Sequence, residues 1–203
     1  MTKVKTIDKI LAAAKVEISN KGVDGAKIES IARQAGVTKQ LVYHYFKTKD
    51  ELYSAILDSV SPNVHILTNA EQYEELKPSE AITAFINTIF DDFINNPSYA
   101  AFALDQALHE GRHISDRSEY IPSMKQCISE VIGNILERGI KSGEFKAQLN
   151  PKMTFWMVFQ LSTSCFLNEK TMSETCDIDF TSQQGIELWR KSTIEFVLNA
   201  LRA

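Results

Sequence analysis

Residues 28–47, IESIARQAGVTKQLVYHYFK, predict two short helices that meet at Gly36. A helix-turn-helix needs a residue that tolerates positive φ in its tight turn, and glycine does so without steric cost. Ala32, one turn earlier, is small enough to let the two helices cross closely. Apolar residues occupy the spacings that would hold the helices together: Ile31, Ala35, Val37, Val42 and Tyr45. This stretch therefore predicts a helix-turn-helix.

The other face of the second helix is polar and basic. It carries Thr38, Lys39, Gln40, Tyr43 and His44, with Lys47 and Lys49 just beyond. Such side chains hydrogen-bond to base edges or hold phosphates. The alternative is a helical hairpin whose polar face is merely solvated. The agreement of small residues, apolar spacing and basic charge favours a nucleic-acid-binding surface.

Charge is distributed unevenly along the chain. Residues 1–52 contain ten Lys and Arg against six Asp and Glu, whereas residues 53–203 contain twelve against twenty. The basic first quarter suits a nucleic-acid-facing module, and the acidic remainder would repel phosphates. We therefore expect a DNA-binding domain over residues 1–60 and a second domain, for assembly and sensing, over 61–203.

Composition excludes several other classes of protein. With 44% hydrophobic and 24% charged residues in 203, the chain can bury a sizeable core and is not disordered throughout. Three cysteines without a CxxC pair predict free thiols in a reducing compartment. The first residues lack the apolar core of a secretory signal, and the longest uncharged stretch, 153–168, is too short and polar to span a bilayer. We expect a cytoplasmic protein with no membrane partner.

Helical periodicity continues through the rest of the chain, so the sequence predicts an all-α protein of about nine helices. Residues 6–21 form a first helix closed by Gly22, and Thr48 with Glu51 forms a capping box that opens a helix ending at Pro62. Prolines begin several later helices, because the first turn needs no N–H donor there. The later predicted segments are 79–94, 97–108, 119–141, 151–167 and 181–201.

Residues from about Thr6 to Ile56 resemble the DNA-binding domain of the tetracycline-repressor (TetR/AcrR) family of bacterial regulators. The resemblance is carried by Ala35-Gly36-Val37-Thr38-Lys39, Tyr43-His44-Tyr45-Phe46-Lys47 and Lys49-Asp50-Glu51-Leu52. It implies a homodimer in which each subunit places its third helix in the major groove of an operator. It also implies DNA contacts by Thr38, Lys39, Gln40, Tyr43, His44 and Lys49; we add Lys47 from the basic face.

Two departures from the family pattern affect these contacts. Lys27 stands where many relatives have Thr or Ser, which suggests an ammonium contact to phosphate in place of a hydroxyl contact. Gln40 and Leu41 replace a common Gly-Thr pair. Because glutamine is a bidentate partner for adenine, Gln40 could specify a base that glycine cannot.

The second domain carries two apolar helices that suit a dimer interface. Residues 153–167 are apolar nearly all round, and the last helix has an apolar stripe. Two such helices from each of two chains can form a four-helix interface. The expected interface residues are Trp156, Phe166, Ile186, Trp189, Phe196, Val197 and Ala200. The alternative is that both stripes belong to the intrachain core.

The resemblance implies an effector pocket between the middle helices. The candidate lining residues are Phe90, Phe102, His109, His113, Tyr120, Phe155 and Phe159. An aromatic residue at helical spacing is more often plain core, so the existence of a pocket depends on the resemblance and not on this pattern.

His109-Glu110-Gly111-Arg112-His113 matches HExxH, the zinc-hydrolase spacing. Arg112 would place a cation beside the metal, and Gly111 weakens the helix that the motif requires. We therefore expect no metal, no cofactor and no enzymatic activity. The preferred interpretation is a ligand-responsive repressor that binds a near-palindromic operator as a homodimer and is released by a small-molecule effector. The alternatives are a zinc-dependent hydrolase and a helical dimeric scaffold without specific DNA binding.

Overall fold

The computed structural model describes residues 3–60, 66, 67 and 69–203, and the predicted helix stop at Pro62 lies outside them. Within these residues the chain forms eleven helices and no strand, which confirms the all-α prediction. The helices are α1 (Lys3–Gly25), α2 (Ile28–Ala35), α3 (Lys39–Tyr45), α4 (Lys49–Val60), α5 (Ala70–Glu75), α6 (Pro78–Asn95), α7 (Ser98–Leu108), α8 (Tyr120–Gln126, a π-helical stretch Cys127–Ile132 and Gly133–Lys141), α9 (Pro151–Leu167), α10 (Glu169–Cys176) and α11 (Gln183–Leu201).

The chain divides into two compact units. The first comprises Met1–Ser61 and Pro97–Pro122, and the second comprises Pro62–Asn96 and Ser123–Ala203. The first unit thus contains α7 and the segment after it, in addition to the predicted N-terminal helices.

In the first unit, α1 packs against α2, α4 and α7 through an apolar face. Ile10, Ala14 and Ile18 are buried in a core completed by residues of the other three helices. Gly22, the predicted end of this helix, adopts φ 69°, outside the helical region, and kinks α1, which continues to Gly25. The Val23 N–H that follows donates to Asp105 Oδ1 at 2.9 Å, which fixes the bend against α7.

Glu17 is a buried carboxylate that connects α1 to α2. It accepts hydrogen bonds from Lys21 Nζ at 2.7 Å, Ser30 Oγ at 3.0 Å and Gln34 Nε2 at 3.1 Å. The hydrogen bond from Lys21 is the largest of the effects that lower the pKa of Glu17. A buried charge needs such partners, so this network positions α2 on α1.

The second unit is built around α6, which packs against α8, α9 and α11. Its buried face contains Ile82, Phe85, Ile89 and Phe90. The short helix α5 was not predicted, and Arg138 from α8 explains its stability. The Arg138 guanidinium donates to the carbonyl oxygens of Tyr73, Glu74 and Leu76 at 2.6–2.9 Å, and so caps the C-terminus of α5.

All three cysteines are free thiols, as predicted. Cys127 and Cys165 are buried, and burial raises the pKa of each thiol to about 12, so both remain protonated and unreactive at neutral pH. Cys176 is exposed.

Candidate functional site

The turn between α2 and α3 has the backbone geometry of a helix-turn-helix. Gly36 adopts φ 67° and ψ 35°, the left-handed conformation that glycine reaches without strain. Its N–H donates to the Arg33 carbonyl at 3.2 Å, and the Val37 N–H donates to the Ala32 carbonyl at 2.9 Å. Ala32 is buried where the two helices meet. The predicted roles of Ala32 and Gly36 are both confirmed.

Helix α3 has a capped start and is anchored by the apolar residues predicted to hold the two helices together. Thr38 is its N-cap, and Thr38 Oγ1 accepts a hydrogen bond from the Leu41 N–H at 3.2 Å. Val42 is fully buried in the core of the unit, and Tyr45, on the same helix, packs against that core. Tyr43 and His44, which follow Val42, are exposed. The side of α3 that carries Val42 therefore faces the core, and its polar side faces solvent.

The side chains predicted to contact DNA lie mainly at the surface of the first unit. Seven of the eight are exposed: Lys27, Thr38, Lys39, Gln40, Tyr43, His44 and Lys47. Surface position is necessary for a base or phosphate contact, so this arrangement supports the expected roles of these seven residues.

Lys49 is partly buried and has internal partners. Its ammonium donates to the carbonyl oxygens of Asp24 at 3.2 Å and Ala26 at 3.3 Å. These carbonyls lie at the end of α1 and just before α2, so Lys49 connects the start of α4 to the helix-turn-helix. This structural role was not predicted, and a phosphate contact by Lys49 would compete with it.

Lys39 is held by an acidic residue that the sequence analysis overlooked. Its ammonium lies 2.5 Å from Glu29 Oε1 and 5.8 Å from the centre of the Tyr43 ring. The hydrogen bond between the two side chains raises the pKa of Lys39 and lowers that of Glu29. Glu29 and Lys39 are ten residues apart on different helices, and only the helix crossing brings them together.

The predicted pocket residues do not form one set. Phe102, His109, His113 and Tyr120 belong to the first unit, whereas the other three belong to the second. Phe102 is buried in the core of the first unit, with its ring 5.7 Å from that of Tyr53, so it packs apart from the predicted pocket residues of the second unit.

The remaining three aromatic residues pack together within the second unit. Phe90 and Phe155 are fully buried, and the Phe155 ring stacks on Phe159 with 5.8 Å between centroids. A separate surface groove of about 1010 Å³ runs along α11 and contains none of the predicted pocket residues. Its lining includes Asn87, Leu188, Ile194, Leu198 and Asn199.

The HExxH segment is not helical. Helix α7 ends at Leu108, and Glu110 and Gly111 adopt φ values of 54° and 71°. A zinc hydrolase of this motif presents both histidines and the intervening glutamate from one helix. The hydrolase alternative therefore lacks the geometry that it requires. His109 and His113 instead lie close to carboxylates of the first unit.

The predicted dimer residues differ in exposure. Trp156 is 41% and Phe196 65% exposed, and Ala200 is exposed as well. Phe166, Ile186 and Trp189 are partly buried, and Trp189 Nε1 donates to the Leu161 carbonyl at 2.8 Å. Val197 is only 4% exposed, so it faces the core of its own unit and offers almost no surface to a partner.

Three exposed apolar side chains on the same two helices were not predicted. They are Met153 and Met157 on α9 and Leu188 on α11. A hydrophobicity pattern alone does not tell the inward from the outward side of a helix that is apolar nearly all round.

A helix-turn-helix with an exposed basic and polar second helix, joined in one chain to a helical domain, defines a DNA-binding regulator. Family models match both parts. Residues 10–56 match the model described as "Bacterial regulatory proteins, tetR family", and residues 78–197 match "Tetracyclin repressor-like, C-terminal domain". The chain belongs to the tetracycline-repressor family, and it is a DNA-binding transcriptional regulator of the repressor type.

Individual relatives agree with this assignment. The HTH-type transcriptional repressor NicS of Pseudomonas putida is 23% identical and aligns with 98% of this chain and 93% of its own. The fold resembles that of the transcriptional regulator FadR from Bacillus subtilis in complex with stearoyl-CoA, with a TM-score of 0.69 and 21% identity over 94% of this chain and 97% of that one. It also resembles the ketosteroid transcriptional regulator KstR2 of Mycobacterium tuberculosis, with a TM-score of 0.70 and 16% identity over 97% and 95% of the chains.

Among the residues with described positions, no helix is both long enough and apolar enough to cross a membrane.

Proposed function

We propose that this regulator binds a near-palindromic operator as a homodimer and that a small apolar molecule releases it. In this proposal each subunit inserts α3 into the major groove, in the cytoplasm, and no catalytic step is involved. The observation that carries the proposal is the geometry of α3, which is anchored by buried Val42 and capped by Thr38 while its polar side chains face solvent.

The base-reading role is assigned to Gln40 and Tyr43, which are exposed near the start and middle of α3. A glutamine amide matches the donor and acceptor pair of adenine in the major groove. Lys39 and Lys27 are assigned to phosphates, since an ammonium is a point charge without base preference. Lys39 must break its ion pair with Glu29 before it can contact a phosphate. Glu29 therefore weakens DNA binding by holding Lys39 in the protein without DNA.

Dimerisation is assigned to the exposed faces of α9 and α11. Trp156, Met157, Leu188 and Phe196 are large apolar side chains on these two helices, and all of them are exposed in the single chain. Exposed apolar groups of this size favour association. A two-fold symmetric pairing of the two helices buries them and gives the dimer two copies of α3 related by the two-fold axis.

The effector is assigned to the aromatic cluster of the second unit, defined as Phe90, Phe93, Phe155, Phe159 and Phe166. Their ring centroids lie 5.2–6.4 Å apart in contacting pairs. An apolar ligand that separates these rings would bind one arrangement of the domain better than another, which is the requirement for a population shift. The stearoyl-CoA bound in the similar FadR structure carries a long apolar acyl chain, which supports an effector with a large apolar part.

Selection of bound duplexes from a random pool tests the DNA-binding proposal. We expect enrichment of an inverted repeat with half-site centres about 34–36 Å apart, or a multiple of that distance. Gln40→Ala should reduce discrimination at one base position, whereas Lys27→Ala should weaken binding to all sequences alike. An enriched sequence without two-fold symmetry, or no enrichment at low salt, would contradict the proposal.

Tryptophan fluorescence tests the effector site. The Trp156 ring lies 5.6 Å from Phe155 and 6.0 Å from Phe159, so ligand entry should change its emission. Trp189→Phe removes the other tryptophan and leaves Trp156 as the single reporter. If apolar ligands that release DNA leave this emission unchanged, the effector binds elsewhere.

A further inference from the structure

Three side chains that can bind a metal ion converge in the first unit. Asp24 lies at the end of α1, and His109 and His113 lie at and just after the end of α7. One ligand atom from each of the three lies within 4.8 Å of the other two. Asp24 Oδ2 is 3.2 Å from His109 Nε2, and Asp24 Oδ1 is 3.5 Å from His113 Nε2.

Both imidazole rings are oriented through their other nitrogen. His109 Nδ1 lies 2.9 Å from the backbone carbonyl oxygen of Asp105, and His113 Nδ1 lies 2.8 Å from Asp50 Oδ1. A carbonyl oxygen and an ionised carboxylate only accept hydrogen bonds, so each Nδ1 must carry the proton. In the neutral rings the lone pair is therefore on Nε2, the atom that faces Asp24. Metal-binding histidines in proteins are held in the same way.

A positive charge among these three groups stabilises this arrangement. Two Nε2 lone pairs face one carboxylate at 3.2 and 3.5 Å, and these three acceptors repel one another unless a positive charge lies among them. Ligands about 2.0–2.1 Å from a tetrahedral ion are separated from one another by about 3.3 Å. The two observed separations, one to each carboxylate oxygen, are close to that value, and the three ligand atoms lie within 4.8 Å of one another, so small side-chain rotations would bring them around one ion.

We propose that Asp24, His109 and His113 bind a divalent transition-metal ion of the zinc type, with water completing its coordination. Two imidazoles and one carboxylate suit the borderline ions Zn²⁺, Co²⁺ and Ni²⁺ better than Mg²⁺ or Ca²⁺, which prefer oxygen ligands alone. This proposal replaces the sequence-based expectation of no metal site. It does not revive the hydrolase, because the two histidines follow a helix end and Glu110 does not lie between them on a helix.

Arg112 supplies the positive charge when no metal is bound. Its guanidinium Nη2 lies 3.2 Å from Asp24 Oδ2, and its Nε donates to His113 Nε2 at 3.2 Å. The Arg112 and Asp24 side chains are each 61% exposed, so the arginine can turn into solvent as an ion enters. Arg112 is thus a competitor of the metal and not a ligand.

The ion would connect three parts of the first unit. Asp24 lies in the last turn of α1, the two histidines lie at the end of α7 and in the turn after it, and Asp50, which orients His113, lies in the first turn of α4. An ion that binds the folded unit, and not the unfolded chain, stabilises the folded unit. The metal therefore acts as a structural stabiliser of the unit that carries the helix-turn-helix.

Calorimetric titration of metal-stripped, full-length protein with Zn²⁺ tests the proposal. We expect one ion per chain and a loss of affinity of at least about 100-fold in His109→Ala and in His113→Ala. Asp50→Asn should weaken binding about 10–100-fold through the orientation of His113. Arg112→Gln should tighten binding, because it removes the competing cation. His44→Ala, which changes an exposed histidine on α3, is the matched control for this titration and should bind Zn²⁺ with the affinity of the parent.

Two further measurements keep the test decisive. Circular dichroism checks that each variant is folded, and His109→Gln replaces any alanine variant that is not. Co²⁺ in place of Zn²⁺ should give visible bands without a thiolate charge-transfer band, which separates this site from exposed Cys176. Zinc binding that survives both histidine substitutions, or absence of binding in both the parent and Arg112→Gln, would overturn the proposal.

Discussion

Replacing Gly36 with alanine isolates the backbone requirement of the helix-turn-helix. Gly36 adopts φ 67°, and a Cβ atom built there meets no atom within 4 Å. The substitution therefore introduces no clash, and only the left-handed conformation opposes it. That conformation costs an ordinary L-residue about 1–2 kcal/mol, and the reduced freedom of the unfolded chain returns about 0.4–1 kcal/mol. We expect a net loss of stability of about 1 kcal/mol.

Differential scanning calorimetry measures this loss. For a chain of this size, about 1 kcal/mol corresponds to a fall in Tm of about 2–4 °C. Gly36→Asn is the comparison, because asparagine visits the left-handed region more readily than alanine, and it should lose less. Gly143→Ala is the comparison in the second unit. Because Gly143 also has positive φ (74°) and open space around it, this substitution should lower stability by a similar amount. If Gly36→Asn destabilises as much as Gly36→Ala, strain at φ is not the cause.

Three further predictions concern the anchoring of α2, the anchoring of α3 and the dimer. Val42→Ala removes two buried methyl groups and should cost about 2 kcal/mol in urea unfolding, with weaker DNA binding; an unchanged stability would mean that α3 is held by other contacts. The lowered pKa of Glu17 means that its contribution to stability is present above its ordinary pKa of 4.5 and is lost as pH falls through the lowered value. The stability difference between the parent and Glu17→Gln should therefore shrink on acidification below that pH, and a difference that stays constant would contradict the role of this carboxylate. Phe196→Glu should shift the protein from dimer to monomer in analytical ultracentrifugation, whereas Glu195→Gln, its exposed neighbour, should leave the dimer intact; an unchanged Phe196→Glu dimer would move the interface elsewhere.

Local features of the fold could be predicted because they depend on a few neighbouring residues. Gly36 with Ala32 fixes the turn, Thr38 fixes the start of α3, and Asn150 with Pro151 fixes the start of α9. Each of these depends on backbone conformation or on a hydrogen bond within a few residues. The sequence therefore predicts them directly.

Features that depend on distant residues could not be predicted. Helix α5 is stabilised by Arg138, which lies more than sixty residues away in the chain. The pair Glu29–Lys39 and the internal role of Lys49 follow from helix crossings that no periodicity reveals. The approach of Asp24 to His109 requires the docking of α7 on α1. On α11, Val197 faces the core and Phe196 faces solvent, and a single apolar stripe does not separate the two.

Methylation protection on a selected operator tests the central claim that two copies of α3 lie in the major groove. Dimethyl sulfate modifies guanine N7, which faces that groove. We predict protection at two clusters of guanines related by two-fold symmetry, with centres about one helical turn apart or a multiple of it, and loss of protection in Tyr43→Ala. Guanines that remain fully reactive in a saturated complex would show that α3 does not enter the major groove.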